Sequence, residues 1–121
     1  MDNEKELKQV NTDIIFFFLT LVAASISFYL INEKKKSVLH KKSITNAQAN
    51  NIYKFNRKLL FFIECYFLLN SYYYYKKMQN TKDKNSEDYK QAQLLFYANI
   101  FSFISASLYL PLGNSNLIIE N

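Results

Sequence analysis

The sequence predicts an all-α integral membrane protein, with three hydrophobic helices joined by polar, basic connections. Three observations point there. Polar and apolar residues are segregated: half the residues are hydrophobic, yet the mean hydropathy is −0.17, because Lys/Asn/Ser-rich stretches alternate with long uncharged blocks. A bilayer selects that kind of segregation. Two of the blocks, residues 14–31 and 91–113, contain no Asp, Glu, Lys or Arg. Finally, the only glycine and proline are Gly113 and Pro111, so nothing before residue 111 breaks a helix strongly. Long helices are favoured over a turn-rich β fold. A chain of 121 residues is expected to form one membrane domain.

The N-tail, residues 1–13, is polar. It sets Asp2, Glu4, Glu6 and Asp13 against Lys5 and Lys8, which is not the basic start of a secretory signal. The block after it reads as a retained anchor. That block, Ile14–Ile31, is IIFFFLTLVAASISFYLI. At about 1.5 Å per residue it reaches about 27 Å, close to the roughly 30 Å of a hydrocarbon core. Only Thr20, Ser25 and Ser27 interrupt it, so it has no polar face of the kind a soluble core helix needs. A transmembrane helix is expected here.

Residues 32–58 form a basic connection carrying Lys34, Lys35, Lys36, Lys41, Lys42, Lys54, Arg57 and Lys58, with His40 among them. The stretch SITNAQANN, residues 43–51, is the expected turn, being rich in residues that favour caps and bends. No second His, Cys or Asp lies near His40 in sequence, so a solvated loop histidine is expected rather than a metal ligand.

The second block, Leu59–Tyr75, is LLFFIECYFLLNSYYYY. Glu64 and Asn70 interrupt it. A charge at the bilayer centre costs about 2.5–3.5 kcal/mol, but Glu64 is five residues from the block's edge, about 8 Å. Tyr72–Tyr75 followed by Lys76 and Lys77 reads as an aromatic belt with a basic stop. A span is expected, with a helix lying in the interface as the alternative. After a polar loop, residues 76–90, Ser86 with Glu87 and Asp88 forms an N-cap and acidic first turn. The last segment, about 91–112, is a second charge-free span, ended by Pro111 and Gly113.

Small residues recur at spacing four in the outer segments: Ala23 and Ser27 in the first, Ala98, Ser102 and Ala106 in the third. Such rows let helix backbones approach closely in lipid. Asn99 lies beside the second row and is expected to seek an interhelical hydrogen bond. Arg57, Glu64 and Ser71 recur every seven residues, so they share a face that should point at protein rather than lipid. Glu64 is expected to be hydrogen-bonded to Asn99, to a serine or to a partner subunit. The other reading is an ion-coupled carboxylate.

Several functions are excluded. The net charge of +5 lies in loops that abut apolar blocks, which marks membrane boundaries rather than a nucleic-acid surface. Cys65 is the only cysteine, so no disulfide forms within the chain. No serine sits in a nucleophile elbow, Cys65 has no His in a catalytic pattern, and one glycine makes no phosphate loop. No catalytic residue, cofactor, metal or small-molecule substrate is expected. The expected partners are the lipid bilayer and other membrane subunits.

The leading functional expectation is a non-catalytic structural or accessory subunit of a larger membrane complex, organellar, ER-type or bacterial. The alternatives are a self-associating, holin-like pore former and a small oligomeric transporter built around Glu64. Abundant Asn, Lys, Ile, Tyr and Phe with a single Arg reads as AT-rich coding. It makes the mitochondrial inner membrane the first expectation for location.

Overall fold

The computed structural model describes residues 2–81 and 84–112. Within them the protein is all-helical: α1 (Asp2–Val38), α2 (Asn46–Thr81) and α3 (Glu87–Tyr109). Helices α1 and α2 run past their hydrophobic blocks at both ends, and α3 begins before its block and ends at Tyr109. The polar N-tail is helical, contrary to a tail that ends where the apolar block begins. Its residues are mostly good helix formers such as Glu, Lys, Leu and Gln. Gln9 Nε2 donates to Asp13 Oδ1 one turn on, at 3.3 Å.

The turn between α1 and α2 lies earlier than residues 43–51. After Val38 the backbone closes a Schellman motif: His40 N donates to Ser37 O at 3.0 Å and Lys41 N to Lys36 O at 2.8 Å. His40 takes the left-handed conformation that this motif requires, with φ 59°. Lys35 and Lys36 in the last turn complement the negative end of the helix dipole. A capping box then starts α2. Thr45 N donates to Gln48 Oε1 at 3.0 Å, and Gln48 N donates to Thr45 Oγ1 at 3.2 Å. The Asn/Ala/Gln stretch after it is therefore helix, not turn.

The chain forms two compact units, one built on α1 and α2 as far as Leu60 and the other on Phe61–Pro111. The first is an antiparallel hairpin. Ala23, Leu30 and Ser37 are buried on α1, and Ala49 and Asn56 on α2. The seven-residue steps keep one seam of each helix turned to the other, as in a left-handed coiled pair. Leu30 and Ala49 form a core cluster, with Ile26, Ile44, Ile52 and Tyr53 packed on it.

The second unit is an antiparallel pairing made mainly of aromatic rings. Phe61 meets Phe103 at 5.3 Å, and Phe96 lies between Tyr72 at 5.6 Å and Tyr75 at 5.4 Å. Tyr75 and Tyr89 share a hydrogen bond between their hydroxyls at 3.2 Å. Gln93 Nε2 donates to Tyr75 at 3.4 Å and to Tyr97 at 3.2 Å. Ser86 caps α3 as its sequence predicts, its hydroxyl accepting from Tyr89 N at 3.2 Å. At the other end Pro111 offers no N–H to prolong the ladder, and the helix stops at Tyr109. Gly113 lies outside the described residues.

Candidate interaction faces

Two helices, α1 and α3, are long and apolar enough to cross a membrane, with mean hydropathy 2.5 and 1.2 over their most apolar stretches. The protein itself covers little of those stretches: 11% of the residues are buried in α1 and 6% in α3. Phe17, Phe18, Leu21, Phe28 and Ile31 on α1 are more than half exposed, as are Leu94, Phe101 and Leu108 on α3. A helix serving as the core of a water-soluble fold would be mostly covered. These surfaces call for lipid or for other protein.

The small-residue rows differ in what they meet. Ala23 is buried within the hairpin. Ser27 Oγ accepts a 2.9 Å hydrogen bond from Asn56 Nδ2 on α2, so that row is used inside the fold. On α3, Ala98 and Ser102 are exposed, and Ala106 and Asn99 are half-buried. Asn56 is the asparagine that makes an interhelical bond, and sequence reasoning overlooked it because it lies just outside the apolar block. Its seven-residue step from Ala49 was the signal available.

Of the seven-residue row on α2, Arg57 and Ser71 are buried and Glu64 is half-buried. No hydrogen bond joins Glu64 to Asn99 among the described residues. Ser71 instead returns its hydroxyl to Leu68 O at 3.0 Å, the usual way for a serine to satisfy itself inside a helix. Arg57 sits with its guanidinium carbon 3.7 Å from the centre of the Tyr53 ring, a cation–π contact. The four consecutive tyrosines divide: Tyr72 and Tyr75 pack towards α3, whereas Tyr73 is 69% exposed. Lys76 Nζ lies 5.8 Å from the Tyr72 ring.

No group of three His, Cys, Asp or Glu side chains able to hold a metal ion occurs among the described residues. Cys65 is a free, half-buried thiol. An open apolar groove of about 410 Å³ lies between Phe18, Val22, Ser25, Ile26 and Tyr29 of α1 and Ile52 of α2. Fold and surfaces together define a class: a small all-helical protein with two helices suited to a membrane. Beyond that class, no protein-family model, no curated protein and no solved structure matches this chain.

Proposed function

We propose that the protein is a non-catalytic integral membrane subunit that supports the assembly of a larger membrane complex. The observation that carries this reading is apolar helix surface left uncovered on α1 and α3. Lipid covers part of it. The exposed Ala98 and Ser102 on α3 suit the close approach of another helix, which long side chains would prevent. In this reading α2 is the third span. Tyr73 and Tyr74, exposed on its outer side, sit with Lys76 and Lys77 at one membrane boundary. The AT-rich composition favours the mitochondrial inner membrane as the site of the host complex.

The test has two steps. Membranes carrying the protein are extracted with alkaline carbonate, and retention in the pellet is expected. They are then solubilised in mild detergent, and the protein is expected to migrate with other membrane subunits at a mass well above its own 14.4 kDa. Release by carbonate would end the membrane reading, and migration as a monomer would end the subunit reading.

A further inference from the structure

The hairpin register brings three cations beside the end of an apolar run. Asn56 bonds to Ser27, and Ser27 lies four residues inside Ile31, about 6 Å along the axis. Lys54, Arg57 and Lys58 are therefore level with the last turns of α1's charge-free stretch. Arg57 is only 7% exposed, and its Nε and Nη1 form no hydrogen bond. A buried guanidinium with idle donors is costly and calls for an anion. Tyr53 covers one flat face of the group and leaves the in-plane N–H fork, the part that matches two oxygens of a phosphate.

Lys54 and Lys58 flank Arg57 from one turn of α2, and both are exposed. Like charges at that spacing repel. None of the three cations has an acidic partner among the described residues. Glu33, the one acidic residue of the 32–58 connection, is buried and lies 3.1 Å from Lys36 Nζ.

We propose that Lys54, Arg57 and Lys58 bind the phosphate of an anionic phospholipid, held where α1 leaves the hydrocarbon. The proposal rests on the reading of α1 as a span. The guanidinium swings out from under its neighbours to take two phosphate oxygens, and the lysines add charge from either side. Three cations with no acidic partner among the described residues fit a leaflet of anionic headgroups better than a single carboxylate on a partner helix, which would leave two of them uncompensated. Basic clusters at this depth are the usual headgroup sites of membrane proteins.

The test uses the whole protein in nanodiscs of phosphatidylcholine mixed with phosphatidylglycerol, with the lipids it retains identified by native mass spectrometry. Retained lipid is expected to be enriched several-fold in phosphatidylglycerol over the disc. Both Arg57→Gln and the pair Lys54→Gln/Lys58→Gln should bring the ratio down towards that of the disc. The lysines are exposed, so the pair tests the site even if Arg57→Gln fails to fold. A wild-type ratio equal to the disc's overturns the proposal. So does a gain in thermal stability from inorganic phosphate equal to that from the lipid, which would assign the site to soluble phosphate. Loss of a co-purifying protein from Arg57→Gln at an unchanged lipid ratio would assign the guanidinium to a partner's carboxylate and overturn it as well. Carbonate extraction of wild type separates the two ideas: release fails the span, whereas retention without enrichment fails only the lipid site.

Discussion

Asn56 and Ser27 tie α1 to α2 through polar groups. Their 2.9 Å bond is an interhelical side-chain hydrogen bond of the α1–α2 hairpin. In lipid such bonds average about 0.6 kcal/mol, because the separated helices also find partners. A double-mutant cycle of Ser27→Ala and Asn56→Ala, read by SDS unfolding in mixed micelles, should give a coupling of about that size. Strict additivity would mean the pair contributes nothing. Glu64 is a different kind of residue, half-buried on α2. As a structural group it should tolerate Glu64→Gln, which keeps its volume and hydrogen-bonding capacity, with assembly unchanged. Glu64→Lys should disrupt assembly by placing a longer side chain of opposite charge on that face. Native gel migration reads both variants. Loss of ion flux in a correctly assembled Gln variant would favour the transporter instead.

The starts of α2 and α3 each depend on a cap that the sequence announces. Thr45 and Gln48 bond reciprocally before α2, and Ser86 accepts from Tyr89 N before α3. Replacing Ser86 or Thr45 by Ala should cost about 1 kcal/mol each, measured as a shift in the same unfolding transition. A null effect at both would mean that packing alone sets these helix ends. The Ser86 cap was legible because Glu87 and Asp88 follow it. The Thr45 box was just as legible by its spacing, but the Asn- and Ser-rich composition around it suggested a turn. Two local bonds outweigh that composition. His40 shows the opposite case: nothing in its neighbourhood marks it as the left-handed end of α1. Glycine is the usual residue there, and the chain uses histidine at a cost of about 1–2 kcal/mol in backbone strain.

At the scale of the molecule, the proposed membrane placement turns on which connections share a side of the bilayer. With three spans, the N-tail and the 76–90 loop carry seven basic residues on one side, against eight in the 32–58 connection on the other. That balance barely orients the chain. If α2 lay in the interface, both basic loops would share a side, thirteen basic residues against two. Either arrangement puts residues 32–58 on the positive-inside face and the N-tail opposite. The three-span arrangement better explains two outward tyrosines followed by two lysines at the end of the second block. In a Cys65→Ser background, cysteines at Asn80 and Ser115 are treated from outside with an impermeant maleimide. Labelling at Asn80 alone is expected for three spans. Labelling at Ser115 alone would mean that α2 does not cross.

Class, helix number and the two most apolar helices follow from the sequence alone. Charge-free length and the absence of early breakers are local properties, and no tertiary contact has to be known to read them. The caps at Thr45 and Ser86 belong to the same level, since each is closed by residues three apart. Pairing is decided elsewhere. That Ser27 meets Asn56, that Leu30 packs on Ala49, and that Arg57 ends buried with idle donors all depend on the register of two helices. Register is set by the seven-residue connection between Val38 and Asn46 only when the Schellman end and the capping box are both in place. Apolar surface says that a helix must be covered. Only the geometry of the hairpin says which residues its own chain covers, and which it leaves for lipid or a partner.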